Sequence, residues 1–262
     1  LIDEDGKYLV EKYEITYVQS YEIFSFLKER EYTLNDDKIL ALGGIEYSFE
    51  KSNSMNKNID LNELTDITYS RMNTLSPLND IYQYLGYDEL SYLPYTLDEI
   101  NIISEFHPNS VILSNVNASE ENIKKMSKEG NLKEYNVLHF ATHGFIVPDI
   151  PSLSALALAT NTENEDGYLN VEEIMELDIE ADFVNLSACD TGIGKIYKAE
   201  GVVGLTQAFM IAGANAVSAT LWPVPDKSTY IFMKELYKIS HDSDISYYEA
   251  MAIVKQKFIN GD

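Results

Sequence analysis

The sequence has one cysteine, Cys189, and no apolar run that approaches the ~20 residues of a membrane-spanning helix. A single cysteine excludes a disulfide within the chain and is typical of a reducing compartment, which favours a cytoplasmic location. The chain does not open with the basic and then apolar segments of a secretory signal peptide. These absences predict a protein without a membrane partner.

Basic residues are scarce as well. The chain has 19 lysines and arginines against 43 aspartates and glutamates, which gives a net charge of −24. Such a surface repels phosphate, so we expect no direct binding of nucleic acid or of an anionic membrane. It suits a basic protein partner or a basic substrate. The alternative is that the acidic excess only keeps the domain in solution.

At 262 residues the chain is long enough for one large domain or two small ones, and 45% of its residues are apolar, so it can bury a sizeable core. From residue 111 to the end, predicted strands alternate with predicted helices, which indicates an α/β fold with a mostly parallel central sheet flanked by helices. Residues 7–18 alternate well enough for a strand or hairpin, and the polar stretch 45–80 is predicted to be a loop. We expect the remaining strands at 38–43, 111–113, 137–141, 156–159, 183–188 and 216–221.

Two of these apolar runs end in chemically useful residues. The run at 137–144 stops at His143 and Gly144, and the run at 183–192 stops at Cys189. Catalytic groups in parallel sheets gather at the carboxyl ends of strands. The chain between the two runs is long enough for a crossover connection, so the strands can be neighbours. The sequence therefore predicts an imidazole beside a thiol.

A thiol attacks as the thiolate, so it needs a neighbour that accepts its proton, and an imidazole titrates in the right range. The N–H groups of Gly144 and Cys189 are candidates for stabilising a tetrahedral oxyanion. No Asp or Asn is evidently placed to orient the imidazole, so a dyad is favoured over a triad. The alternative is structural, because a lone cysteine in an apolar strand is often a small buried hydrophobe.

Other candidate sites are weaker. His139 lies inside a predicted strand and is interpreted as a core or supporting histidine. With His143 it has the spacing of a helical metal pair, but the segment is predicted to be a strand and lacks a third ligand, so we expect no metal. Residues 191–195 lack the full phosphate-loop pattern and are interpreted as a flexible loop beside the thiol. A nucleotide hydrolase is therefore disfavoured, and we expect no cofactor.

Several short motifs follow one another along the chain. They are His-Phe-Ala-Thr-His-Gly at 139–144, Asp-Gly-Tyr-Leu at 166–169, Leu-Ser-Ala-Cys-Asp-Thr-Gly at 186–192, Glu-Gly-Val-Val-Gly-Leu at 200–205, Ala-Phe at 208–209, Ala-Gly-Ala at 212–214 and Leu-Trp-Pro-Val-Pro-Asp at 221–226. Together they strongly resemble the CHAT domain, a caspase-like, separase-related peptidase module that is often fused to tetratricopeptide repeats. The similarity is dense over residues 137–230 and weak over 45–95. A stretch at 5–13 also resembles the early part of such domains.

The resemblance implies a caspase-like sandwich of clan CD and a cysteine endopeptidase that uses His143 and Cys189 on protein substrates. It implies one domain over 1–262, with an N-terminal pseudo-half at 1–95 and a catalytic half at 96–262. The chain opens on Leu1, so we expect a piece of a longer protein with an upstream tetratricopeptide-repeat region or an activating partner. A conformational switch at 191–194 would fit such control. The alternative is a catalytically silent interaction scaffold.

Substrate specificity is also inferred from the resemblance. Separases use an acidic residue near the segment that corresponds to 221–226 to bind arginine at P1. Asp226 is the matching position, with Asp190 as the second candidate, and a carboxylate pairs well with a guanidinium. The alternative is that Asp226 caps the helix predicted to begin near Lys227.

Overall fold

The computed structural model describes residues 2, 4, 6–18, 21–30, 38–47, 59–73, 78–87, 89–160, 165–190, 200–220, 223–243 and 245–261. Among them the helices are α1 (Tyr21–Glu29), α2 (Leu61–Asn73), α3 (Asn79–Tyr84), α4 (Pro94–Phe106), α5 (Glu120–Lys128), α6 (Val171–Met175), α7 (Glu200–Ala212), α8 (Asp226–Ser243) and α9 (Tyr247–Asn260). The strands are β1 (Ile39–Gly43), β2 (Val111–Ser114), β3 (Val137–Phe140), β4 (His143–Phe145), β5 (Ala155–Ala157), β6 (Tyr168–Asn170), β7 (Phe183–Leu186), β8 (Cys189–Asp190) and β9 (Ala216–Ala219). Short 3-10 helices lie at Leu9–Glu11, Asn115–Asn117, Asn131–Glu134 and Pro151–Leu153.

A five-stranded sheet lies at the centre of the fold, in the order β2-β1-β3-β7-β9. All of its pairs are parallel. Strands β1, β3 and β7 are short, mostly apolar runs in which every residue is buried, as expected for strands covered on both faces. The predicted α/β fold with a parallel central sheet flanked by helices is confirmed, and it is consistent with a caspase-like sandwich.

Alternate residues of the central strands point to opposite helical layers. On one face Leu40, Leu138 and Val184 pack with apolar residues of α5, α6 and α7. On the other face Ile39 and Val137 pack with apolar residues of α4, α8 and α9. Burial of these side chains supplies the main favourable contribution to folding. It also fixes where the carboxyl ends of β3 and β7 emerge.

A second, smaller sheet continues from those strand ends in the order β6-β5-β4-β8. Strand β4 pairs in parallel with β8 and antiparallel with β5. The strand predicted at 156–159 is present as β5, but it belongs to this small sheet. Phe145 and Tyr168 of the small sheet pack against Leu64 of α2 and Ile81 of α3. The N-terminal part of the chain therefore covers the sheet that carries His143.

Residues 45–80 differ from their prediction as a polar loop, because they contain α2 and the start of α3. Few side chains of α2 are buried; Leu64 and Thr68 are the clearest cases. A helix with so narrow a buried face leaves little apolar periodicity in the sequence. Residues 48–58 and 74–77 lie outside the part of the chain that the structure describes.

Residues 7–18 also differ from the strand or hairpin predicted for them. They contain the 3-10 helix Leu9–Glu11, and Tyr8 forms an isolated bridge with Ile2. The carbonyl oxygen of Val10 accepts a hydrogen bond from Gln256 Nε2 of α9 at 3.3 Å. This segment therefore binds to a helix rather than to a neighbouring strand.

Asn117 and Glu120 have the spacing of a capping box, which predicts a helix start at Asn117, but α5 begins later. Its N-cap is Ser119, whose side chain accepts a hydrogen bond from the N–H of Asn122, and not Asn117, which lies in a 3-10 turn. Asn170 and Glu173 have the same spacing, which predicts another helix start, and their capping box is present at α6. In the part of the chain that the structure describes, no helix combines the length and apolarity needed to cross a bilayer.

Candidate functional site

The register of the small sheet brings together the two strand ends that the sequence singles out. In the parallel pair of β4 and β8, His143 lies opposite Cys189 and Gly144 lies opposite Asp190. This pairing follows from the central sheet, where β3 and β7 are parallel neighbours. The backbone juxtaposition is therefore the one predicted, while the catalytic roles stay a prediction. Residues 191–195 and Leu221 to Trp222 lie outside the described residues.

The His143 ring is buried, with 1% of the residue exposed. Its Nε2 lies 2.7 Å from the carbonyl oxygen of Ser91. A carbonyl oxygen only accepts, so Nε2 carries the hydrogen and the lone pair of the neutral ring is on Nδ1. Among the described atoms, Nδ1 has no hydrogen-bond partner. The imidazole is thus held with its basic nitrogen available.

Burial lowers the pKa of His143 from its ordinary value, because it disfavours the charged ring. The hydrogen bond to the Ser91 carbonyl raises the pKa and offsets part of that effect. The ring is therefore neutral near pH 7, the state in which it accepts a proton. The sequence offered no signal for Ser91, because a backbone carbonyl acts here and not a side chain.

Tyr47 is the second neighbour of His143 that sequence reasoning missed. Its hydroxyl oxygen lies 3.3 Å from the His143 backbone nitrogen and 2.8 Å from Thr142 Oγ1. The rings of Tyr47 and His143 are 5.0 Å apart between centroids and inclined at 53°. Burial raises the pKa of Tyr47 to about 12. Tyr47 follows β1 in a region whose polar sequence carries no motif.

Gly144 lies where β4 approaches the segment before Cys189. A Cβ at this position would be 3.1 Å from the Cβ of Ala188 and 3.8 Å from Leu156 Cδ2. The first distance is tighter than ordinary van der Waals contact. Glycine therefore allows the close spacing of the two strand ends. Its predicted part in an oxyanion site stays a proposal.

Asp226 is the first residue of α8, and its Oδ2 accepts a hydrogen bond from the Tyr95 N–H at 2.9 Å. Tyr95 lies in the first turn of α4, so the carboxylate binds the N-terminus of α4. Burial raises the pKa of Asp226, and the charges of Glu99 and Asp98 raise it further. The charge of Asp226 is also the last of the causes that raise the pKa of Tyr47.

His139 has the supporting role that the sequence predicts. It is fully buried, and its Nε2 lies 2.8 Å from Glu99 Oε1. Its Nδ1 lies 2.9 Å from Asn185 Nδ2 and 2.8 Å from the Tyr237 hydroxyl. These contacts connect β3 and β7 with α4 and α8. They account for both ring nitrogens of His139 without a metal.

One group of carboxylates in the described residues is close enough to hold a metal ion, and it lies on α5, α6 and the chain before β6. Oxygen atoms of Glu120, Glu165 and Glu173 lie within 4.8 Å of one another. Lys124 Nζ is 2.6 Å from each of these side chains. The ammonium group therefore already offsets part of the negative charge of these carboxylates.

A parallel sheet between two helical layers, with a histidine and a cysteine opposed at adjacent strand ends, is consistent with a caspase-like α/β domain. The model of the CHAT domain family matches residues 1–262, and the chain belongs to that family. Tetratricopeptide repeat protein 28 of Homo sapiens is 30% identical over 97 residues, which are 37% of this chain and 3% of that protein. Its Mus musculus counterpart is 35% identical over 69 residues, or 26% of this chain and 3% of that protein. The chain thus spans a small fraction of the length of these relatives.

Proposed function

We propose that this domain is a cysteine endopeptidase in which Cys189 is the nucleophile and His143 is the general base. The observation that carries the proposal is the register that sets His143 opposite Cys189. Membership of the CHAT family supports it. The buried and neutral state of His143, with Nδ1 as its acceptor nitrogen, supplies the chemistry that a thiol nucleophile requires.

The reaction begins when the Cys189 thiol transfers its proton to His143 Nδ1. The thiolate attacks the scissile carbonyl carbon and forms a tetrahedral oxyanion, to which the N–H groups of Gly144 and Cys189 donate. The C–N bond then breaks, the leaving amine takes the proton from His143, and an acyl-enzyme remains. Water attacks the thioester as His143 again accepts a proton, and the carboxylic acid product leaves as the thiol is restored.

The Ser91 carbonyl acts on the imidazole throughout this cycle. It accepts the Nε2–H and so keeps the basic lone pair on Nδ1. When Nδ1 gains a proton, the same carbonyl stabilises the imidazolium, since a hydrogen bond from a charged donor is stronger than one from a neutral donor. A backbone carbonyl therefore orients the catalytic imidazole, a role that a carboxylate or an amide side chain has in many enzymes with a nucleophilic side chain.

The preferred substrate in this proposal has a basic residue at P1, bound by Asp226 and with Asp190 as the second candidate. Glu99 and Asp98 both raise the pKa of Asp226, which means that the local potential is negative. A guanidinium or ammonium group would relieve this repulsion. The net charge of −24 favours the approach of basic segments to the domain.

Both relatives named above are tetratricopeptide repeat proteins, so we propose that a repeat-containing region or an activating partner controls this site. The described segments 59–73 and 78–87 support a single domain over 1–262, because their apolar residues pack on the small sheet that carries His143. The residues from 96 onward contribute most of the central sheet. A partner that shifts the N-terminal cover would act directly on the candidate pair.

The test uses a library of synthetic peptides that samples every residue at P1, with the cleavage products identified by mass spectrometry. We expect cleavage by the unsubstituted chain and none by Cys189→Ala or His143→Ala. His241→Ala, which changes an exposed histidine, serves as the matched control and should cleave normally. If the unsubstituted chain and Cys189→Ala give the same cleavage products in equal amounts, Cys189 is not the nucleophile of a peptidase. An interaction scaffold is then the favoured function.

A further inference from the structure

The backbone between β3 and β4 passes from one sheet to the other within two residues. The Ala141 N–H donates to the Leu42 carbonyl at 2.8 Å, so β1 still pairs with the chain at that point. Two residues later, the His143 N–H donates to the Tyr47 hydroxyl at 3.3 Å. A side-chain hydroxyl therefore accepts the hydrogen bond of a buried backbone N–H at the point where the central sheet has ended.

The direction of the hydrogen bonds around Tyr47 follows from proton counting. The Thr142 hydroxyl donates its one hydrogen to the Ala157 carbonyl. Thr142 Oγ1 must then accept from the Tyr47 hydroxyl, which lies 2.8 Å away. The Tyr47 oxygen is left as the acceptor for the His143 N–H. The result is one continuous relay from the backbone of His143, through Tyr47 and Thr142, to the backbone of β5.

This relay persists over the pH range in which a cysteine peptidase works. Burial is the main cause that raises the pKa of Tyr47 to about 12, so its hydroxyl keeps the hydrogen that it donates to Thr142. The ring of Tyr47 also lies against the imidazole, at 5.0 Å between centroids. The Tyr47 hydroxyl thus holds the His143 backbone, and the Tyr47 ring restricts the movement of the His143 ring.

We propose that Tyr47 is a positioning residue that holds His143 in place to receive the Cys189 proton. The inference rests on the proposed function, since it concerns the same base. Ser91 fixes the Nε2 side of the imidazole, and Tyr47 fixes the backbone from which that imidazole extends. A small displacement of a general base lowers its rate of proton transfer sharply, which makes such support matter for the reaction.

The test measures alkylation of Cys189 by iodoacetamide at pH 7 and at pH 10. Cys189 is the chain's one cysteine, so the rate reports a single thiol. At pH 7 the thiolate forms by proton transfer to His143, whereas at pH 10 it forms without help, because an unperturbed thiol has a pKa of about 8.5. The ratio of the two rates therefore reports the positioning of the base rather than access to the thiol.

Tyr47→Phe removes the hydroxyl and keeps the ring. We expect its rate at pH 7 to fall about threefold to tenfold, the effect of about one lost hydrogen bond, and its rate at pH 10 to match the unsubstituted chain. Tyr84→Phe is the matched control, since the Tyr84 hydroxyl also forms a hydrogen bond with the backbone, in this case by donating to the Ile59 carbonyl oxygen at 3.1 Å. Its rates should be normal at both pH values.

Thr142 provides a second test that leaves Tyr47 in place. Thr142→Ser keeps the hydroxyl that accepts from Tyr47 and should retain the ratio, whereas Thr142→Val removes it and should lower the ratio. A normal ratio in both Tyr47→Phe and Thr142→Val, with His143→Ala slow at pH 7, would overturn this inference alone. A fall of equal size at both pH values would also overturn it. An unchanged rate in His143→Ala would overturn the proposed function as well.

Discussion

Asp226 and Tyr95 join the N-termini of α8 and α4, through a hydrogen bond of 2.9 Å from the Tyr95 N–H to Asp226 Oδ2. A carboxylate at a helix N-terminus satisfies one of the unpaired N–H groups and interacts favourably with the helix dipole. Capping α4 and binding a cationic substrate are therefore compatible uses of one carboxylate. They can be separated by substitution.

Asp226→Asn separates the two uses because an amide oxygen still accepts the Tyr95 N–H but carries no charge. We expect cleavage of peptides with Arg or Lys at P1 to fall at least about tenfold, since a hydrogen bond to a charged group contributes about 1.5–3 kcal/mol. The unfolding temperature should change little. Asp226→Ala removes the cap as well and should cost a further ~1 kcal/mol of stability.

Peptide cleavage assays and thermal unfolding of the two variants check this prediction. If Asp226→Asn cleaves Arg and Lys substrates normally, Asp226 has no part in P1 recognition. Asp190→Asn then becomes the variant to measure, since Asp190 lies opposite Gly144 in the β4–β8 pair. A loss of cleavage that is equal for basic and neutral P1 residues would indicate a general effect on the site.

The sequence was informative where structure depends on local pattern, and uninformative where it depends on tertiary contact. The buried strands β3 and β7 are visible as apolar runs, and their parallel pairing carries His143 and Cys189 to one edge. Ser91 acts through a backbone carbonyl, which has no signature in side-chain chemistry. Tyr47 lies near His143 only because β1 is the neighbour of β3.

Asp166 gives a prediction about stability and pH. Its carboxylate oxygens accept the Leu78 N–H at 2.7 Å and the Tyr168 N–H at 2.9 Å. Burial, followed by the charge of Glu173, raises the pKa of Asp166 to about 7 from an ordinary value of 3.8. Between these two values the folded protein binds more protons than the unfolded chain. The free energy of unfolding therefore falls as pH rises through this window, by up to about 1.4 kcal/mol per pH unit.

Urea unfolding at intervals from pH 5 to pH 8 measures this slope. Asp166→Asn should be less stable, because an amide accepts only one of the two N–H groups, but it should lose much of the slope below pH 7. Burial also raises the pKa of Glu120, which leaves a residual slope of the same sign. Asp149→Asn, at an exposed position, is the control. A slope that survives in Asp166→Asn at full size would contradict the assignment.

Gly144 and Gly204 give a pair of glycine substitutions with opposite expected effects. In Gly144→Ala the new Cβ would be 3.1 Å from the Cβ of Ala188, so the two strand ends must separate slightly. Overpacking of this kind costs about 1–3 kcal/mol. In Gly204→Ala, within α7, the nearest atom would be Val171 Cγ2 at 4.0 Å. There the substitution should add about 0.5–1 kcal/mol of stability, because alanine favours a helix.

Adding Ala188→Gly to Gly144→Ala removes the methyl group that the new Cβ meets. Residue 188 directly precedes Cys189, so we expect Gly144→Ala to lower both stability and the rate of Cys189 alkylation at pH 7, and the double variant to recover much of that rate. Thermal unfolding and Cys189 alkylation are measured on Gly144→Ala, on Gly204→Ala and on the double variant Gly144→Ala with Ala188→Gly. If Gly144→Ala keeps normal stability and alkylation, the close approach of β4 to residue 188 does not control the spacing of His143 and Cys189.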